Sequence, residues 1–208
     1  GFDERSFEIV HYGIDGGSDP PPPPERPRIA CVGRLVPIKG HETLLRAVAV
    51  AMKAVPGLEL QIAGDGPLEA EIRVLVGSLG LSDAVRFLGR VSPPQPVYEQ
   101  AAIVVVPSLG EGFGMVALEA MERGRAVVAS DVGGLPEIVV ANETGLLVPP
   151  GDAEALAAAV VELASDTSRV AAFGLAGRAR ALSQFTQERC TQRLVGLYRD
   201  ALSRAAVE

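Results

Sequence analysis

An α/β fold is predicted for this chain: an open parallel sheet of about six strands, doubly wound by helices on both faces and followed by a C-terminal helix. Three observations predict it. Short apolar runs rich in β-branched residues recur through residues 28–208, and their lengths suit strands buried on both faces. Longer helical patterns separate them, so the chain reads as repeated βαβ units whose right-handed crossovers build one sheet. Glycine-rich breaks, Gly110-Glu111-Gly112-Phe113-Gly114 above all, stand where a strand should turn into a helix.

Taken in order, Ile29–Gly33 is the first strand and leads to a helical pattern over Gly40–Ala54. Leu58–Ala63 is followed by Leu68–Leu79 through Gly64-Asp65-Gly66-Pro67. That turn lacks the third glycine of a dinucleotide fingerprint and does not follow the first strand, so it reads as a tight βα turn with Pro67 at a helix start. Val85–Leu88 then leads to Pro94–Gln100, Ile103–Val106 to Met115–Arg123, and Val127–Ala129 to Leu135–Val140, with Leu146–Val148 as the last strand. Asp152 caps a helix through Ala164 and Thr186 caps a final one to about Ala206, each offering a side-chain oxygen to first-turn N–H groups.

Residues 1–27 stand apart. Phe7–Ile14 alternates like a strand, and Asp15–Pro27 carries five consecutive prolines, which in a polyproline II conformation extend about 15 Å as a stiff spacer. Residues 1–27 are therefore expected to be an inter-domain strand and linker, and residues 28–208 a single domain. A chain of 208 residues with 48% hydrophobic content can fill a real core. Its net charge of -7 argues against nonspecific binding to nucleic acid or membrane, so an anionic ligand must be held by local cations and helix ends. Cys31 and Cys190 lack paired spacing and read as small core or interface residues in a reducing compartment. No apolar run approaches the roughly 18 to 20 residues of a membrane span, and the N-terminus lacks a basic region followed by an apolar core. A cytoplasmic protein with no transmembrane segment is expected.

The chemistry concentrates in two loops. Gly33-Arg34-Leu35-Val36-Pro37-Ile38-Lys39 places two cations after the first strand, at the carboxyl edge where open α/β sheets bind ligands. Arg34 can fork onto phosphate oxygens, and Lys39 adds a point charge where a helix dipole already favours an anion. The second loop, Gly110–Gly114, ends at a helix start whose free N–H groups, on Phe113, Gly114, Met115 and Val116, suit phosphate. Glycine at 112 and 114 keeps side chains out of the approach. Two carboxylates flank this cradle, Glu111 and Glu119, on the order of 10 Å apart at about 1.5 Å per helical residue. Acids beside a phosphate are tolerable when turned to hydroxyls on either side, so the ligand suggested is a diphosphate with a polyol at each end, a nucleotide sugar. Glu111 would take the sugar and Glu119 the ribose diol. His11 and His41 have no metal-ligand partners at useful spacing and no Asp-x-Asp motif occurs, so neither metal nor cofactor is expected.

These residues carry a family resemblance. Val32-Gly33-Arg34-Leu35 with Lys39-Gly40, Ala63-Gly64-Asp65-Gly66-Pro67, Phe87-Leu88-Gly89, Pro107-Ser108 with Glu111-Gly112-Phe113-Gly114 and Glu119-Ala120, Gly133-Gly134 with Glu137, and Thr144-Gly145-Leu146-Leu147-Val148 resemble the group 1 glycosyltransferases. That family, usually called family 4, is retaining and has the GT-B fold of two Rossmann-like domains. The resemblance runs from about Ile29 to the C-terminus, and Val10–Asp15 resembles the segment by which such chains leave their N-terminal domain. It implies that Arg34 and Lys39 bind the donor diphosphate, Glu111 the donor sugar and Glu119 the ribose, with Arg34, Lys39 and Glu111 as the catalytic set. It also places the nucleobase against Gly89-Arg90-Val91. Gly33, Arg90, Val91, Gly110, Glu111, Gly112, Phe113, Gly114, Met115, Val116 and Glu119 are the donor-binding residues so implied.

One departure limits the reading. Nothing in the sequence can be the N-terminal domain, which in that family supplies the acceptor site, so the chain is expected to be the C-terminal half of a GT-B enzyme. The missing half is then its first partner and the route of any contact with a membrane surface. Leu194, Leu197 and Leu202 are candidates for an apolar stripe meeting it, because the family's last helix crosses back to that domain. The function expected is donor binding within a hexosyltransferase that uses a nucleoside diphosphate sugar, the chain alone binding without turnover. The alternatives are a nucleotide-sugar epimerase of the same architecture, or a noncatalytic nucleotide-binding module.

Overall fold

Every pairing in the sheet is parallel, as the alternation of strands and helices requires. The structure is a computed structural model that describes residues 8–205. Its elements run β1 Arg28–Val32, α1 His41–Ala51, β2 Glu59–Ala63, α2 Glu69–Ser78, β3 Val85–Gly89, α3 Gln95–Glu99, β4 Ile103–Val106, α4 Met115–Glu122, β5 Ala126–Ser130, α5 Leu135–Ile138, β6 Gly145–Val148, α6 Ala153–Ala164, α7 Thr167–Gln184 and α8 Gln187–Ala205. The six strands lie in the order β3-β2-β1-β4-β5-β6. The order therefore reverses between β1 and β4. Crossovers leave in opposite directions from these two neighbours, and the crevice between their carboxyl ends is where such sheets take ligands.

Alternation along each strand divides the core in two. Ile29, Cys31, Leu60, Ile62, Val105 and Val128 face α1, α2 and α6. Ala30, Ala63, Val104, Val106, Val127 and Ala129 face the other way, among Tyr98, Leu118, Leu135 and Phe185. Burial pushes the Cys31 thiol up to about 12, only partly opposed by Lys39, so it stays protonated and packs as an apolar side chain.

The expected caps form. Asp152 accepts from the N–H groups of Glu154 and Ala155, and Thr186 Oγ1 from that of Arg189. Helix α1 stops at Ala51 rather than running to Ala54, because Pro56 disfavours helical geometry just before it.

Two findings depart from the sequence reading. No strand forms over residues 8–13, and Ile14 makes a single parallel bridge to Thr186; Phe7 lies outside the described residues. Helix α7 was not anticipated, and it contains two glycines, Gly174 and Gly177. Those glycines mark close packing: a Cβ on Gly174 would sit 2.2 Å from the Gly124 carbonyl oxygen, and one on Gly177 3.2 Å from Met121 Cγ. Over residues 187–204 of α8 no residue is buried, and Leu194, Val195, Tyr198 and Leu202 are exposed, with Leu197 half-buried. No helix among the described residues is long and apolar enough to cross a membrane.

Candidate functional site

The loops that leave β1 and β4 are knitted together at the crevice. After β1 the chain makes one 3-10 turn, Pro37–Lys39, and reaches Gly40, the N-cap of α1. A Cβ there would lie 1.9 Å from the Pro107 carbonyl oxygen, so only glycine lets the two loops touch. The Leu109 N–H donates to the Ile38 carbonyl at 2.7 Å. This packing delivers Lys39 to the second loop, where its Nζ donates to Glu111 Oε2 at 2.6 Å. Ser108 Oγ, on a fully buried residue, donates to the same oxygen at 3.2 Å. Two residues expected to hold opposite parts of a ligand are thus paired with each other.

Arg34 lies to one side of this pair. With Gly33, Gly64, Asp65, Arg90 and Val91 it lines a cavity of about 420 Å³, so the first loop and the loop after β3 do share one space. Among the described residues no acceptor pairs with Arg34 or Arg90. Two guanidinium groups and one carboxylate, that of Asp65, thus face one cavity, in a chain of net charge -7.

The turn into α4 completes the crevice. No acceptor among the described residues takes the backbone N–H groups of Gly110 through Val116, so seven consecutive donors are left for solvent or ligand. Gly114 caps α4 at φ 108, and a side chain there would press on Leu135 Cδ2 at 2.8 Å. Its glycine answers backbone geometry and packing, whereas Gly112 has nothing within 4 Å of its Cβ direction and stays open. Behind the turn, a Cβ on Gly133 would fall 1.7 Å from the Glu111 carbonyl oxygen and one on Gly134 2.7 Å from that of Gly112. The Gly133-Gly134 pair thus buttresses the turn from behind.

The Phe113 side chain packs among aromatic rings. Its ring stacks on His11 at 5.5 Å and meets Phe185 edge-on at 6.1 Å, while His11 Nε2 lies 2.6 Å from Glu137 Oε2. Only its main chain is left to serve a ligand. Glu119, in the second turn of α4, accepts a 2.6 Å hydrogen bond from the hydroxyl of Tyr98. Neither Ser108 nor Tyr98 was assigned a role by sequence reasoning. Ser108 was legible, standing three residues before an expected ligand-binding acid; Tyr98 was not, because only the fold brings α3 against α4.

The fold and this edge define a class: a Rossmann-like domain of the GT-B type, with cations and a helix N-terminus converging at the sheet's reversal point. Residues 26–166 match the family model described as glycosyl transferases group 1, and the chain belongs to that family. It is 35% identical to a D-inositol 3-phosphate glycosyltransferase of Segniliparus rotundus, over 99% of this chain and 49% of that one. Among solved structures, sucrose-phosphate synthase from Thermosynechococcus elongatus is 38% identical with a TM-score of 0.79, over 87% of this chain and 47% of that one. Anabaena HepE in complex with UDP and glucose is 27% identical with a TM-score of 0.78, over 84% and 48%. The chain spans about half the length of these relatives.

Proposed function

We propose that this chain is the donor-binding, C-terminal half of a retaining glycosyltransferase that moves a hexosyl group from a nucleoside diphosphate sugar to an acceptor hydroxyl. The observation that carries the reading is the convergence at one sheet edge of the paired Lys39 with seven backbone N–H groups, Gly110 to Val116, and Arg34, which have no partner among the described residues. HepE, a structural neighbour, is described with UDP and glucose. In this reading the diphosphate lies on the N-terminus of α4, Glu111 turns to the sugar hydroxyls and Glu119 to the ribose, and the base lies near Arg90 and Val91.

The bond from the sugar's C1 to the phosphate oxygen breaks as the acceptor oxygen bonds to C1 from the same face, and the acceptor's proton passes to the departing phosphate. Arg34, Lys39 and the helix N-terminus stabilise the charge growing on that phosphate, the task a metal performs elsewhere, so no metal is invoked and EDTA leaves binding unchanged. The acceptor site belongs to an N-terminal half, against which Leu194, Val195, Tyr198 and Leu202 of α8 offer an apolar face. The chain alone therefore binds donor without turnover, in the cytoplasm, residues 1–27 serving as the connection between halves.

Isothermal titration of the 208-residue chain with UDP, GDP and ADP, then with their hexose conjugates, tests the reading. One nucleotide should bind in preference to the others; no binding at millimolar concentration by folded protein overturns it. Sugar transfer by the chain alone would overturn the division of labour between halves.

A further inference from the structure

The Glu119 carboxylate is gripped from inside the protein by a tyrosine. Tyr98 is 1% exposed, its ring set in the second core with Ala30, Val104 and Leu118. Its hydroxyl is directed at Glu119 Oε2, 2.6 Å away, the short distance of a hydrogen bond to a charged acceptor. Burial, and then the neighbouring Glu119 charge, push the Tyr98 pKa far up, so the phenol remains a donor at every working pH. Glu119 also opens toward the loop after β3: with Pro93, Pro94, Gln95 and Tyr98 it lines a cleft of about 120 Å³. That loop continues Arg90 and Val91, which line the neighbouring cavity with Arg34. Glu119 thus borders the loop that carries the expected base-binding residues and sits on the helix whose N-terminus is the proposed phosphate cradle.

Resting on the donor-site reading above, we infer that Tyr98 is a positioning residue for nucleotide recognition: by holding one oxygen of Glu119, it fixes the carboxylate in the orientation that accepts the ribose diol. A free Glu side chain at this point would sample several rotamers and lose that freedom on binding. The Tyr98 bond removes the freedom beforehand. It occupies one lone pair of Oε2 and leaves Oε1 and the second Oε2 lone pair for two ribose hydroxyls.

The test compares the tightest-binding nucleoside diphosphate with its 2′,3′-dideoxy counterpart, by titration calorimetry on the unaltered chain, Tyr98→Phe, Glu119→Ala and the double variant. The unaltered chain should prefer the ribose form by about tenfold or more, as befits hydrogen bonds to a charged acceptor. Tyr98→Phe keeps the ring and its packing, so thermal melting verifies the fold; its affinity for the ribose form should fall roughly five- to tenfold while that for the dideoxy form holds. On a Glu119→Ala background the same change should cost nothing, because the carboxylate it positions is gone. Full ribose preference in Tyr98→Phe overturns the inference alone, and equal losses for both nucleotides would assign the bond to structure and overturn it as well. Absence of any nucleotide binding by the unaltered chain overturns the donor-site reading and the inference with it.

Discussion

The ammonium of Lys39 lies 2.6 Å from a carboxylate oxygen of Glu111, across two loops that leave neighbouring strands β1 and β4. The side chains are 26% and 14% exposed, so water screens the pair only in part. The cation proposed to hold phosphate and the acid proposed to hold sugar thus pair with each other. Binding a diphosphate must re-partition that contact, since the phosphate competes with Glu111 for the same three N–H donors.

This competition gives opposite outcomes for the two partners. Lys39→Ala should weaken nucleoside diphosphate binding by tenfold or more, as one charge-assisted bond is lost and Glu111 is left facing the phosphate uncompensated. Glu111→Gln frees Lys39 and removes a negative charge, so the free diphosphate should bind as well or a few-fold tighter. The hexose conjugate should lose any advantage over it. Titration of both ligands against both variants reads this out, and a Glu111→Gln protein that loses the plain diphosphate would contradict the assigned roles.

A pH effect follows from His41. It is 3% exposed, neither ring nitrogen has a partner, and burial with the nearby Lys39 charge lowers its pKa from 6.5 to about 4. The unfolded chain therefore binds more protons than the folded one between those values, and stability must fall as pH drops through that window, by up to about 1.4 kcal/mol per unit from this residue. Glu59, hydrogen-bonded to Arg28, is held below 4.5 and adds the same sign only at lower pH. Urea midpoints at pH 7 and pH 5 should differ for the unaltered chain, and His41→Leu should remove most of the difference. A slope unchanged by that substitution would place its origin elsewhere.

Much of this was legible because it is local or periodic. Six apolar runs became six strands, and the caps at Asp152 and Thr186 sat where their side chains could reach first-turn N–H groups. Glycine-rich turns were legible too, though their reasons were not: Gly112 is open, while Gly114 and Gly133 answer backbone geometry and contact with other chain segments. Sequence could not show that Lys39 and Glu111, 72 positions apart, meet each other, nor that Tyr98 grips Glu119. It missed α7 because small residues that allow close helix contact resemble helix breakers when the contact is unseen. Phe7–Ile14 misled in the opposite sense: its alternation was real, but residues 8–13 form no strand and only Ile14 makes a bridge, to Thr186.

Arg125 offers a stability test away from the crevice. Its side chain is fully buried, Nε and Nη1 have no partner, and Nη2 donates to the Pro21 carbonyl. A buried, partly unsatisfied guanidinium costs more than a hydrophobe of similar volume, and Pro21 is exposed, so water can take over its carbonyl. Arg125→Met should leave the urea midpoint unchanged or raise it, by the equivalent of about 1 kcal/mol. A loss of several kcal/mol would mean that the Pro21 contact, which holds the proline run against the domain, outweighs the desolvation of the charge.

Gly112 and Gly133 separate stability from ligand access most cleanly. Gly133 has φ 57, and a methyl there would collide with the Glu111 carbonyl oxygen at 1.7 Å, so Gly133→Ala must shift backbone on one side or the other. The expected cost is about 2 to 4 kcal/mol, with donor affinity lost as the turn is displaced. At Gly112 no positive φ is required and nothing lies within 4 Å of the added methyl, so Gly112→Ala should melt within about 0.5 kcal/mol of the unaltered chain. Yet the methyl would project from a segment whose N–H groups have no partner among the described residues, into the space where the proposed phosphate would approach the backbone. Affinity for a nucleoside diphosphate should therefore fall tenfold or more with the fold intact. Undiminished affinity in Gly112→Ala would show that the phosphate does not reach this part of the turn, and the cradle would have to lie nearer Met115 and Val116.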